Sequence, residues 1–156
     1  GSGPRFQQPA GGCAPPARWP AAELLNILLL KSMPDIQTET DVKKLVDAFY
    51  DKVNADALLA PIFNDFAQVD WATHLPRMYD FWSSLLLHTS HYRGQPFLKH
   101  LPLPIAGPHF RRWLVLFTLT VDELFTGPVA NEAKLRAQNI TRVFESRLQP
   151  NPLSIL

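Results

Sequence analysis

From residue 42 onward, apolar side chains recur at steps of three and four, the period of a helix with one buried face. Val42, Leu45, Val46, Phe49 and Val53 form the first stripe, with Tyr50 on its flank and Asp41 as a suitable N-cap. A shorter helical stretch from Asp56 to Phe66 carries Leu58, Leu59, Ile62 and Phe63. Trp71, His74, Met78, Phe81, Trp82 and Leu85 then mark a longer helix, and the spacing puts His74 on its apolar face. Pro76 conflicts with that helix, because it lacks a backbone donor and crowds the carbonyl four residues back. Either Thr73 caps a helix that starts at His74, or the helix is kinked near the histidine.

Tyr92-Arg93-Gly94-Gln95-Pro96 reads as a turn, and Phe97-Leu98-Lys99-His100-Leu101 lies between Pro96 and Pro102. That span has room for only about one or two helical turns. After Gly107-Pro108 a helix runs through Phe110, Trp113, Leu114, Phe117, Val121 and Leu124, and Gly127-Pro128 stops it. The last helix turns Ala133, Ala137, Ile140, Phe144 and Leu148 inward and ends at Pro150 and Pro152. Strand signals are almost absent and no internal repeat is present. The predicted fold class is all-α.

The first 34 residues differ in kind. They hold six of the 15 prolines and four of the seven glycines, with few apolar side chains before Leu24. This composition predicts a flexible leader over residues 1–36, a folded domain over 37–150 and a short tail over 151–156. The opening Gly1-Ser2-Gly3 has the composition of an appended linker. A helix over residues 21–31 is compatible with the leader but has no obvious partner.

Composition narrows the function classes. A chain of 156 residues that is 46% hydrophobic can fold around one core, and is short for two ordinary domains. Fifteen Lys and Arg against 14 Asp and Glu give a net charge of +1, with neither a basic stripe for nucleic acid nor a polybasic membrane anchor. Cys13 is the one cysteine, so an internal disulfide is impossible, and its setting reads as an inert thiol in a tail. No apolar run approaches the ~20 residues that span a bilayer. The expectation is a soluble, cytoplasmic protein.

Familiar catalytic signatures are missing. There is no phosphate-cradling glycine loop, HExxH, paired-cysteine zinc motif or GxSxG. His88, His91 and His109 fall near helix ends and loops, and are expected at the surface. Joint order is more informative than any single residue. Ala48-Phe49-Tyr50-Asp51-Lys52-Val53, Pro61-Ile62-Phe63-Asn64, Trp71-Ala72-Thr73-His74, Phe81-Trp82, Gly94-Gln95-Pro96, Lys99-His100-Leu101 and Trp113-Leu114 with Phe117 follow one another along the chain. In this the sequence resembles the third group of truncated haemoglobins, over about residues 37–149.

The resemblance implies a two-over-two helical globin fold around one haem b. It makes His100 the proximal iron ligand, on a very short helix bounded by prolines. It makes Tyr50, His74 and Trp113 the polar residues facing a bound gas, with His74 either a contact or a gate. Tyr donates or accepts, Trp only donates, and neutral His does either according to tautomer. Phe49, Phe63, Met78 and Phe81 correspond to haem-packing positions. Arg77 reaches either a haem propionate or solvent, and Arg93 and Lys99 are weaker propionate candidates. The implied ligands are O2, NO and CO, on a monomer without nucleic-acid or membrane partners.

The implied function is oxygen binding, transport or sequestration. Two enzymatic alternatives stand beside it, nitric-oxide dioxygenation and a peroxidase-like activity with His74 as acid–base group. No flavin or nicotinamide motif is present, so the electron donor for such a cycle is a separate reductase.

Overall fold

The computed structural model describes residues 1–4, 20–92 and 103–148. The expectations for Cys13, Arg93, the Gly94-Gln95-Pro96 turn, Lys99, His100 and the tail at 151–156 lie outside these residues. The chain divides into two compact units, Gly1–Ser32 and Met33–Leu156. The first contains helix α1 (Ala21–Ser32), which starts on the Pro20 carbonyl and leaves Leu24, Leu25, Ile27 and Leu28 exposed.

The second unit is built from four long helices, α2 (Glu39–Ala55), α3 (Trp71–Leu87), α4 (Gly107–Leu124) and α5 (Pro128–Leu148). Helix α2 packs on α3 and α4 on α5, and the pairs meet through α2 against α4 and α3 against α5. This is the two-over-two arrangement. Among the described residues no strand occurs.

The first stripe is buried as its spacing requires: Val42, Leu45, Val46, Phe49, Tyr50 and Val53 are all in the core. Its cap is Thr38 and not Asp41. The Thr38 hydroxyl accepts the Asp41 N–H at 3.2 Å, while the Asp41 carboxylate accepts the N–H groups of Gln37 and Thr38 at 2.9 and 3.0 Å. Asp41 thus serves as the third residue of a capping box, a task that needs a carboxylate one turn inside the helix.

Between α2 and α3 the Asp56 carboxylate accepts the N–H groups of Leu58 and Leu59, both at 3.0 Å, and folds the chain back. A π-helical turn, Ile62–Phe66, follows where an ordinary short helix is expected. Helix α3 then begins at Trp71, with Asp70 at its N-cap position, and runs through Pro76. The Thr73 hydroxyl donates to the Asp70 carboxylate at 2.7 Å and does not cap a helix starting at His74. Pro76 and Ala72, whose carbonyl would have received the missing N–H, are both exposed, so solvent can substitute for the lost bond.

The core is aromatic where the helix pairs meet. Trp82 of α3 stacks on Phe117 of α4 with ring centroids 4.5 Å apart, and Trp113 stacks on the same Phe117 at 5.4 Å. Phe49 of α2 stands edge-on to both Trp113 and Phe117 at 5.3 Å. Truncating such a buried ring to alanine costs about 3–5 kcal/mol. Among the described residues no buried polar side-chain atom lacks a partner.

Packing also reaches the segment just before α2. Ile36 is 1% exposed. The Asp35 carboxylate accepts the Val129 and Ala130 N–H groups at 3.0 and 2.8 Å, at the opening turn of α5.

Candidate functional site

The second unit contains a partly open cavity of about 480 Å³. Its wall draws Tyr50 from α2, Phe63 from the π-helical turn, His74, Arg77, Met78, Phe81 and Trp82 from α3, and His109, Phe110 and Trp113 from α4. Ile140, Thr141 and Phe144 of α5 close it, with Tyr92, Leu103 and Ile105 from the connection between α3 and α4. The lining is chiefly aliphatic and aromatic, with a few polar tips converging on it, the composition of a small-molecule or cofactor site.

The polar tips are held in place. Tyr50 is 6% exposed, and its hydroxyl lies 3.3 Å from Nε2 of His74. Burial pushes the Tyr50 pKa well above the usual phenol range, so the side chain keeps its proton and its capacity to donate. The rings of Phe63, Trp71 and His74 pack around it at centroid distances of 5.9, 5.3 and 5.3 Å. Trp113 reaches the cavity from α4 and is fixed by its stack on Phe117, 6° from parallel.

Arg77 and Tyr92 share another part of the wall. Burial raises the Tyr92 pKa, and the positive charge of Arg77 opposes that rise. Tyr92 is set edge-on to Phe81 at 5.1 Å.

A profile of the bacterial-like globin family matches residues 35–145. The group 3 truncated haemoglobin of Campylobacter jejuni is 34% identical over 114 residues, which are 70% of this chain and 90% of that protein. This chain belongs to the bacterial-like globins, in the third group of truncated haemoglobins. The crystal structure of the group III truncated haemoglobin from Campylobacter jejuni matches the globin with a TM-score of 0.66 at 34% identity. The match covers 73% of this chain and 93% of that one. Membership of the family implies a haem cofactor.

The globin brings Tyr50, His74, Trp113, Phe63, Met78, Phe81 and Arg77 to one cavity. Phe49 is not on its wall. It stands one layer behind, against Tyr50 at 4.9 Å and edge-on to Trp113, where it backs the residues that do line the space. His100 lies outside the described residues.

His88 and His91 are exposed, as expected. His109 is not a surface residue: it is half-buried in the cavity wall. Its Nδ1 accepts the Ala106 N–H at 3.1 Å, which closes the first turn of α4 and leaves the ring proton on Nε2. A histidine beside Gly-Pro looks like loop by pattern. Only the course of α4 shows that its first turn abuts the cavity.

Trp71 and Tyr92 also acquire roles that spacing alone does not assign. Tyr92 lines the cavity, whereas Trp71 stands behind the wall against Tyr50 and His74.

Proposed function

We propose that this globin holds haem b in the cavity between its helix pairs, with His100 as the iron ligand, and binds dioxygen against a polar distal wall. The observation that carries the proposal is the convergence of Tyr50, His74 and Trp113 on one otherwise apolar cavity. The fit to haem rests on that lining. A flat, largely apolar ring system suits the aromatic and aliphatic wall, and the volume lies within the range of cofactor sites. Arg77 and Tyr92 supply a cation and a phenol for a carboxylate at the rim.

When bound, haem supplies an iron centre with one face open to a diatomic ligand. Tyr50 presents a hydroxyl that stays protonated because its ring is buried. Trp113 presents an indole N–H, which can only donate. His74 shares a hydrogen between its Nε2 and the Tyr50 oxygen, so the tautomer it adopts decides whether Tyr50 is free to donate inward. Donors in a largely apolar cavity favour a ligand that takes on negative charge, as dioxygen does, over one that takes on little, as carbon monoxide does. Retention of dioxygen, in a binding or sequestering role, follows from that preference.

The test is the absorption spectrum of the purified full chain, oxidised, reduced and under carbon monoxide. A haem Soret band that is lost or strongly shifted in His100→Ala supports the reading. A correctly folded, colourless protein after expression with ample haem refutes it.

A further inference from the structure

Three residues outside the ligand-facing set, Asn54, Asn64 and Trp71, are linked by side-chain hydrogen bonds, and the last of them packs against His74. Trp71 opens α3 one turn before His74, so both side chains lie on the same helix face. The indole ring meets the His74 imidazole almost at right angles, 88°, with centroids 5.6 Å apart. It also stacks on Phe63 at 5.9 Å and 24°. Its Nε1–H donates to Asn64 Oδ1 at 2.9 Å.

Asn64 is fully committed in turn. Its amide Nδ2 donates to Asn54 Oδ1 and to the Ala60 carbonyl, both at 3.0 Å. The indole can only donate, so the orientation of the Asn64 amide is dictated: oxygen to Trp71, nitrogen to α2. The widened turn Ile62–Phe66 carries Asn64, and such turns often mark functional positions.

His74 itself is held to Tyr50 by a contact of 3.3 Å, at the long end for a hydrogen bond. That contact alone is a weak tether. The rings of Trp71, Phe63 and Tyr50 also pack around the imidazole.

We propose that Trp71, anchored through Asn64 to Asn54 of α2, is a positioning residue that holds His74 over Tyr50. How firmly the imidazole is kept there, and hence how readily a small ligand passes it, is then set by two asparagines that do not line the cavity. The kinetic part rests on the haem-binding reading above; the positional part does not.

The decisive experiment follows carbon monoxide recombination after flash photolysis in the haem-loaded full chain. Asn64→Leu removes the acceptor for Trp71, and the bimolecular rate is expected to rise roughly threefold to tenfold, the worth of one hydrogen bond. Asn64→Asp keeps the acceptor for Trp71 but loses the donors to Asn54 and Ala60, so its rate should fall between those of the wild type and Asn64→Leu. In a His74→Leu background the Asn64→Leu change should have no further effect, which a general loosening of the fold would not reproduce. Wild-type rates in both Asn64→Leu and Trp71→Phe, or an increase that persists without His74, overturn the proposal.

A second readout needs no haem. Nuclear Overhauser contacts between the His74 and Tyr50 rings in the full chain should weaken in Asn64→Leu, and to a lesser degree in Asn64→Asp. Unchanged contacts in Asn64→Leu also overturn it. A chain that takes up no haem defeats the ligand reading alone, and these ring contacts still decide the positioning role.

Discussion

Tyr50 is packed among Phe49, Phe63 and Trp71, so its hydroxyl has little freedom to turn from the cavity. A fixed donor is worth more than a mobile one, because no ordering cost is incurred when the ligand arrives. Removing the hydroxyl while keeping the ring isolates this contribution. Tyr50→Phe is expected to speed dioxygen release about ten- to a hundredfold, the worth of a charge-assisted hydrogen bond, with little change in stability. Stopped-flow displacement of dioxygen by carbon monoxide measures it, and an unaltered off-rate would strike Tyr50 from the donors. At this scale the apolar spacing already placed His74 inward and Tyr50 on the flank of the buried stripe. It could not show that the two side chains, 24 positions apart, touch.

Among the elements, the entry to α5 depends on a residue from before α2. The Asp35 carboxylate occupies the place of an N-cap, accepting two backbone N–H groups where the helix dipole favours negative charge. Gly127 completes the joint. Its φ is +145°, and a Cβ there would lie 2.5 Å from Asp35 Cγ. Asp35→Ala is expected to cost about 1–2 kcal/mol and Gly127→Ala at least ~1 kcal/mol in urea unfolding. Asn at position 35, retaining one acceptor oxygen, should recover part of the loss.

Helices α2 and α3 are tied similarly, by the Tyr79 hydroxyl donating to the Asp47 carboxylate, with the Lys43 ammonium 5.9 Å from the centre of the Tyr79 ring. Burial, then the hydrogen bond and charge of Asp47, raise the Tyr79 pKa from 10.0 to about 12. The folded state therefore keeps this proton after the unfolded chain has lost it. The associated stability is complete below pH 10 and is lost as pH rises to about 12. Tyr79→Phe should flatten that part of the stability–pH curve, as read by denaturant midpoints across the interval.

For the molecule as a whole, the aromatic contacts linking Trp82 and Trp113 of the cavity wall to Phe117 and Phe49 behind it join the helix pairs. Occupying the cavity should consequently stabilise the fold in addition to arming it. By mass action, a cofactor present at about a hundredfold over its Kd adds roughly 2.7 kcal/mol. For a chain of this size that is a Tm higher by roughly 5–10 °C in the haem-loaded protein than in the haem-free one, observable by circular dichroism. Equal melting temperatures would mean that the cofactor does not contact the core.

Helix faces are local properties, since a repeat of three and four residues decides which side chains share a side before any partner exists. For that reason α2, α4 and α5 and the inward setting of His74 follow from the order of residues alone. The joins between faces are not local. Asp35 meeting Val129 and Ala130, His109 entering the cavity wall, Asn54 reaching Asn64 on the π-helical turn, and Tyr50 reaching His74 all depend on the helices having packed. Those contacts bridge segments with no periodic relation to one another, and only the tertiary arrangement brings them within reach.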